Sequence, residues 1–237
     1  MRNDLYLDLM KRCLVNEIYP ELETGNGDRI AGTGCWPSVA HTMIGKKRLE
    51  NVQLCAETVL RDNISGDFLE AGVWRGGTTI LMRAILKAWN ITDRTVWVAD
   101  SFKGLPPPTH PVDGGSNLHT HKELAIPLSQ VKTNFDHYGL LDDQVKFLEG
   151  WFKDTLPSAP IEKLAILRAD GDMYESTRDI FTNLYTKLTV GGFVIIDDYL
   201  TFAGCRQAIT EYRATRGIND PIITVDWTAV YWRKTHE

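Results

Sequence analysis

Apolar residues recur along the chain with two kinds of spacing, and the alternation between them predicts the secondary structure. Helical stripes, in which apolar side chains repeat every three to four residues, lie at residues 1–18, about 47–61, 79–89, 127–138, 176–188 and 205–216. Short apolar runs predict strands at residues 68–71, 95–99, 145–149, 163–169, 193–196, 222–225 and 228–233. We interpret Gly191-Gly192 as the break between the helix at 176–188 and the strand that follows it.

The lengths of the connections predict how these strands pair. The first five strands are separated by stretches long enough for crossovers, which suits parallel pairing, whereas Asp226-Trp227 alone joins the last two. One of the last two strands therefore runs antiparallel, and the pattern predicts an α/β protein with a mostly parallel, seven-stranded sheet. We expect a single domain over residues 1–237, with N-terminal helices and a lid in 1–62 and the sheet in 63–237.

A glycine-rich stretch without regular spacing, Glu21–Gly45, separates the first two predicted helices. Long stretches of this kind are often lids or binding loops, and the alternative is a poorly ordered N-terminal arm. The basic run Lys46–Arg48 comes next, and we expect it to be the solvated start of a helix.

Composition and charge exclude several classes of protein. With 237 residues and 43% of them hydrophobic, the chain can bury a full core, which excludes disorder and a small disulfide scaffold. The net charge is −5 and Lys46–Arg48 is too short to follow a phosphate backbone, so no nucleic-acid partner is expected. No apolar stretch is long enough to span a membrane and no sorting signal is visible. The cysteines lack metal-site spacing and read as reduced thiols of a cytoplasmic protein: Cys13, Cys35, Cys55 and Cys205.

Acidic residues end the first five predicted strands. They are Glu70, Asp100, Glu149, Asp170 and the pair Asp197-Asp198. In open parallel sheets, ligands bind beyond the carboxyl ends of the strands. The concentration of acids at this edge is therefore the main indication of function.

The turn after the first strand predicts a cofactor site. Gly72 permits a tight turn, but Trp74 stands where a dinucleotide-binding turn has its second glycine, so NAD is disfavoured. The carboxylate of Glu70 suits a cationic ligand, and S-adenosylmethionine carries an ammonium and a sulfonium group. Asp100 can accept hydrogen bonds from ribose hydroxyls. A plain structural turn is the alternative. The expected cofactor-binding residues are Glu70, Gly72, Gly76, Thr78, Asp100, Ser101, Gly150, Trp151 and Asp170.

Carboxylates also converge where the fourth and fifth strands end. Asp170, Asp172, Asp197 and Asp198 would repel one another there unless a cation neutralised them. Oxygen ligands suit Mg²⁺, with Mn²⁺ or Ca²⁺ as other choices, and the lack of paired His or Cys disfavours zinc. The alternative is that these acids cap the following helices.

The segments around these residues resemble the macrocin O-methyltransferase family from about Asn3 to Arg233. The matching motifs are FLEAGVWRGGTT, VADSFKGLP, FLEGWFKDTLP, LRADGDMYEST and GGFVIIDDY. The resemblance implies a Rossmann-like methyltransferase fold, use of S-adenosylmethionine, a homodimer and a lid at Glu21–Gly45. It also implies metal ligation by Asp170, Asp197 and Asp198, with Asp172 as the general base.

The resemblance to catechol O-methyltransferases is more distant. Those enzymes have an amide and a lysine where this chain has Asp198 and Met173, and Met173 cannot accept a proton. This difference favours methylation of a sugar hydroxyl in a glycosylated, antibiotic-type natural product. Two alternatives stay open: a phenolic or polyketide hydroxyl as acceptor, and a non-catalytic protein that binds S-adenosylmethionine. The loop histidines His119 and His121 either border the acceptor or are simply exposed.

Overall fold

The computed structural model describes residues 2–25, 27–34 and 36–237, and its centre is one seven-stranded sheet. The order across the sheet is β3-β2-β1-β4-β5-β7-β6. Strands β1 to β5 pair in parallel, and β7 runs antiparallel to both of its neighbours. The predicted mixed sheet is therefore confirmed. The strands are β1 Asp67–Ala71, β2 Val96–Asp100, β3 Val145–Glu149, β4 Leu164–Ala169, β5 Leu188–Ile196, β6 Ile223–Thr224 and β7 Val230–Arg233.

Seven α-helices are present in the part of the chain that the structure describes. They are α1 Arg2–Leu14, α2 Gly45–Arg61, α3 Gly77–Ala88, α4 Leu128–His137, α5 Phe152–Thr155, α6 Tyr174–Leu184 and α7 Ala203–Arg216. Helices α1 to α4 supply most of the buried side chains on one face of the sheet, and α6 and α7 cover the other face. Both faces of the central strands are thus covered, and β1 and β4 are buried almost throughout. None of these helices is long and apolar enough to cross a membrane.

The start of β5 differs from the prediction. Gly191-Gly192 does not break a helix: α6 ends at Leu184, and β5 begins at Leu188 and runs through both glycines. A Cβ on Gly192 would lie 2.7 Å from the backbone oxygen of Ala165 on the neighbouring strand. The glycines therefore allow close approach of β5 to β4 where the pairing register shifts, which is a common use of glycine within strands.

Three of the expected thiols can be placed. Cys13, Cys55 and Cys205 are free, and the last two are buried. Cys35, the fourth expected thiol, lies outside the described residues. So do Met1 of the first predicted helix and Asn26 of the predicted lid.

Candidate active site

The turn from β1 into α3 depends on glycine for a steric reason. Gly72 has a φ of +89°, and a Cβ there would lie 1.8 Å from the backbone oxygen of Asp170 at the end of β4. Gly76 has a φ of +86° and immediately precedes α3. Glycine adopts such angles without the strain that other residues would incur. The two strand ends can therefore touch, which brings the loops after β1 and β4 into one site.

Asp100, at the end of β2, accepts hydrogen bonds from the loop after β1 and from the loop after β2. One of its carboxylate oxygens accepts a hydrogen bond from the amide of Val73 at 2.8 Å, and the other accepts one from Phe102 at 2.7 Å. Burial raises the pKa of Asp100, although these hydrogen bonds oppose the rise. The hydroxyl of Ser101 also donates to Asp100 at 3.4 Å, so Asp100 orders the turn while its side chain borders the cavity described below.

A buried arginine that the sequence reasoning missed connects the acids of the central strands. Arg168 on β4 is 1% exposed. It donates hydrogen bonds to Glu70 at 2.5 Å, to Asp170 at 2.8 Å and to Asp197. Burial raises the pKa of Glu70 to about 8, and Arg168 opposes that rise. An arginine within an otherwise apolar strand was the available signal, because a buried charge needs partners.

The basic run Lys46–Arg48 is not solvated as predicted. Lys47 is exposed, but Arg48 is 5% exposed and faces the acid end of the sheet. Its guanidinium forms ion pairs with Asp197 at 2.5 Å and with Asp226 at 3.0 Å. The helical register of α2 places this one residue of the run inward.

Three carboxylates lie together beyond β4 and β5. Asp170, Asp172 and Asp198 each offer an oxygen within 4.8 Å of the others. Asp172 has a φ of +54°, unusual for a residue other than glycine, and its amide donates to Asp198 at 3.3 Å. Burial, and then the neighbouring carboxylates, raise the pKa of both Asp172 and Asp198, and they raise that of Asp170 to about 6. Such a cluster favours a bound cation.

Asp197 lies beside this cluster but has other partners. Arg48 binds one of its carboxylate oxygens and Arg168 binds the other. The structure thus groups Asp172 with Asp170 and Asp198, where the resemblance placed Asp197. An ionised carboxylate has about four lone-pair positions, so two arginine contacts leave positions at Asp197 for a further ligand.

One cavity of about 950 Å³ collects most of the predicted residues. Those that line it are Glu70, Gly72, Thr78, Asp100, Ser101, Trp151, Asp170, Asp172, Asp197 and Asp198. Of the predicted set, Gly76 and Gly150 lie outside its lining. A Cβ on Gly76 would meet Val131 of α4 at 2.9 Å, and one on Gly150 would meet Thr155 at 2.7 Å, so a side chain at either position would disturb the packing there.

The lid, Glu21–Gly45, forms part of the same wall. Gly32, Trp36 and Met43 line the cavity opposite the strand ends. The carboxylate of Glu23 accepts hydrogen bonds from the amides of Ser38 and Ala40 at 2.8 Å and 2.6 Å, which orders the lid. The lid is therefore a folded wall in the described residues, not an unordered arm.

The loop histidines do not line the cavity. His119 is exposed, and the ring of His121 packs edge-on against Trp36 with centroids 4.9 Å apart. Sequence reasoning also missed Asp113 in this loop, which lines the cavity and accepts a hydrogen bond from the amide of Tyr174 at 2.8 Å. Asp113 thereby fastens the loop to the start of α6.

Known sequences match nearly the whole chain. The macrocin-O-methyltransferase (TylF) family matches residues 23–234. The chain is 55% identical to the 8-demethyl-8-(2,3-dimethoxy-alpha-L-rhamnosyl)-tetracenomycin-C 4'-O-methyltransferase of Streptomyces olivaceus, over 98% of this chain and 93% of that protein. It is 52% identical to the mycinamicin III 3''-O-methyltransferase of Micromonospora griseorubida, over 98% of this chain and 97% of that protein.

Solved structures match as well. The O-methyltransferase NovP superposes with a TM-score of 0.94 at 50% identity, over 99% of this chain and 100% of that chain. The calicheamicin methyltransferase CalS11 superposes with a TM-score of 0.63 at 20% identity, over 78% of each chain, and shares the fold alone. The expected Rossmann-like methyltransferase fold is therefore confirmed.

Proposed function

The chain belongs to the macrocin O-methyltransferase family, and from this premise we propose that it methylates a sugar hydroxyl of a glycosylated natural product. S-adenosylmethionine is the methyl donor and a divalent cation assists the transfer. The main support is that a single cavity is lined by the glycine turn after β1, by Asp100, by the acid cluster and by the lid. Asp100 is the acid that we expect to bind the ribose. One relative is named for a tetracenomycin that carries a rhamnosyl sugar, which supports a glycoside acceptor here.

The β1 and β2 ends are suited to hold the cofactor. Gly72 and Thr78 line the cavity where the methionine part would enter, and Glu70 supplies a buried carboxylate for its cationic groups. Asp100 is oriented by the loop amides and lines the cavity, where its carboxylate is suited to accept hydrogen bonds from the ribose hydroxyls. Trp74 borders the cavity with a positive φ, and its bulk at this turn disfavours a dinucleotide pyrophosphate.

The acid cluster is suited to hold Mg²⁺ or Mn²⁺. Its donors are all carboxylate oxygens, and buried carboxylates here outnumber the buried arginines Arg48 and Arg168. We assign the ligands as Asp170, Asp197 and Asp198, since Asp197 keeps free lone pairs beside its two arginines. A dication held by these residues would lower the pKa of the acceptor hydroxyl, which is otherwise close to that of water.

The remaining steps belong to residues of this chain. Asp172 lies within the cluster and receives the proton of the acceptor hydroxyl on its carboxylate. S-adenosylmethionine held at the β1 and β2 ends would supply the methyl group, whose bond to sulfur would break as its bond to the acceptor oxygen forms. The lid residues Trp36 and Met43 border the cavity and exclude water, which favours a reaction that disperses charge.

The test is methyl transfer from radiolabelled S-adenosylmethionine to a panel of natural-product glycosides, their aglycones and simple phenols. We expect transfer to glycosides that is lost in EDTA and restored by Mg²⁺. Transfer to phenols or aglycones only would replace the sugar assignment with the phenolic alternative. Undiminished transfer in EDTA would contradict the proposed requirement for a divalent cation. Binding of S-adenosylmethionine in calorimetry with no transfer to any acceptor would favour the non-catalytic alternative.

A further inference from the structure

Arg48 connects three segments that are far apart in the chain. Its Nη1 binds Asp197 at the end of β5 at 2.5 Å, and its Nη2 donates to the backbone oxygen of Gly32 in the lid at 2.9 Å. Its Nε lies 3.0 Å from Asp226 in the turn between β6 and β7. We propose that Arg48 is a positioning residue that fastens the lid to Asp197 and so holds the lid against the reaction site.

The lid backbone is shaped to receive this guanidinium. Gly32 has a φ of +69°, and a Cβ there would lie 2.6 Å from Nη2 of Arg48 and from the backbone of Ile44. Glycine at position 32 thus leaves the room that the guanidinium occupies. This fit is independent of the ion pairs and shows that the lid and Arg48 pack as one unit.

The partners of Arg48 require an arginine. The planar guanidinium directs two donors to different segments, Nη1 to Asp197 and Nη2 to Gly32, while its charge pairs with Asp226, an arrangement that the single ammonium of lysine cannot reproduce. Arg48, Asp197 and Asp226 are all buried. Removal of Arg48 would leave two buried carboxylates without this counter-charge and the carbonyl of Gly32 without its donor.

The same contact controls the orientation of Asp197. Arg168 holds the second carboxylate oxygen, and Thr228 donates to the backbone oxygen of Asp197 at 3.0 Å. With both oxygens held, the carboxylate has one orientation toward the neighbouring acids. Partners of this kind set the direction of metal ligands, and their loss costs about 10–100-fold in metal affinity or activity. This part of the inference rests on the proposed cation site, whereas the lid contact does not.

The experiment compares Arg48→Gln and Arg48→Lys with Lys47→Gln, a change of the adjacent, exposed residue of the same helix. Hydrogen exchange of the backbone amides in residues 27–34 and 36–44 measures how often the lid opens. Calorimetry with Mn²⁺ measures the cation affinity of the acid cluster. We expect R48Q to speed lid exchange by about tenfold or more and to weaken Mn²⁺ binding by about 10–100-fold. R48K should recover part of both effects, and K47Q should match the wild type.

Unchanged lid exchange in R48Q and R48K overturns the proposal, even where the melting temperature falls, because the role would then be purely structural. If R48Q does not fold, R48K against K47Q decides by the same lid measurement. If the wild-type protein binds no Mn²⁺, the proposed cation site is wrong. The role of Arg48 in holding the lid is then tested by lid exchange alone. If R48Q shows faster lid exchange but undiminished Mn²⁺ affinity, Arg48 holds the lid but does not orient Asp197 for the cation.

Discussion

At the scale of single residues, the site depends on carboxylates whose surroundings differ. Asp197 is held by two arginines and Asp170 by one. Asp172 and Asp198 have no arginine within ion-pair distance in the described part of the chain. The strongly paired acids are suited to hold a fixed geometry, whereas Asp172 is suited to accept a proton during the reaction.

Asp172→Asn removes the proposed base and keeps the side-chain shape. We expect turnover to fall by about 10²–10⁴-fold while Mn²⁺ affinity stays close to that of the wild type. Asp170→Ala should instead abolish Mn²⁺ binding, measured by calorimetry.

The exposed Asp143→Asn is the matched control for these changes. If Asp172→Asn loses Mn²⁺ affinity while Asp197→Asn retains it, the ligand set is Asp170, Asp172 and Asp198 instead. Retained turnover in Asp172→Asn would place the base elsewhere.

Glu70 predicts a pH dependence of stability. Its folded-state pKa of about 8 lies above the ordinary value of 4.5, mainly because of burial. A raised carboxyl pKa favours the protonated folded state, so its stabilising contribution is complete below about pH 4.5 and is lost as the pH rises through about 8. The metal-free protein should therefore lose stability across this window, measured by thermal unfolding in EDTA.

Glu70→Gln should flatten that decline, because the amide keeps a hydrogen-bond acceptor for Arg168 but does not ionise. Glu149→Gln, an exposed acid at the end of β3, is the matched control and should keep the wild-type slope. An identical slope in all three proteins would show that Glu70 does not govern the pH dependence.

At the scale of elements, the site is built where strand ends touch. The loops after β1 and β4 meet because Gly72 has no side chain, and the lid packs against Arg48 of α2 because Gly32 has none. Two glycines far apart in the chain thus bring the cofactor turn, the acids and the lid into one cavity. The helices contribute mainly by covering both faces of the sheet.

Gly72→Ala should be strongly destabilising, since its Cβ would lie 1.8 Å from backbone that cannot move without shifting β4. Gly217→Ala, after α7, is the matched control: it also has a positive φ but nothing within 4 Å of a Cβ. The control should lose about 1 kcal/mol in the free energy of unfolding, and Gly72→Ala should lose more than about 4 kcal/mol or fail to fold. Urea unfolding measures both, and equal losses would contradict the steric argument.

At the scale of the whole molecule, the acid edge brings more carboxyl groups into the interior than the arginines Arg48 and Arg168 can pair with. A cation that binds only the folded state adds about 2.7 kcal/mol at a concentration 100 times its dissociation constant. For a chain of 237 residues, this corresponds to a rise of about 5–10 °C in melting temperature. We therefore expect Mg²⁺ to raise the melting temperature over that in EDTA, and Asp170→Ala to abolish the rise. No rise in the wild type would contradict the cation site.

The homodimer and the division at residue 62 stay predictions. Sedimentation of the purified protein measures the first. The second is tested by expressing residues 63–237 alone and comparing their unfolding with that of the whole chain, which a single domain over 1–237 predicts to be the more stable. The packing of α1 and α2 into the same core as α3 argues that such a fragment would be less stable than the whole chain.

Much of the fold was readable from local pattern. Periodicity placed the strands and most helices, because burial on one or both faces is encoded in neighbouring residues. The acids at the strand ends were found for the same reason, since position along a strand is a local property. The pattern failed at Gly191-Gly192, where contact with Ala165 of another strand decides what the glycines do.

The sequence by itself thus determined the mixed sheet and which acids stand at its carboxyl edge. Only the tertiary structure decided which of them face one another and which are paired. Arg48 lies 149 residues from Asp197, and no spacing rule relates the two. Whether Arg48 is solvated or buried depends on the register of α2 against the lid and β5, a packing outcome that local sequence does not encode. The same reason explains why the partners of Arg168 and of Asp113 became visible only in the tertiary structure.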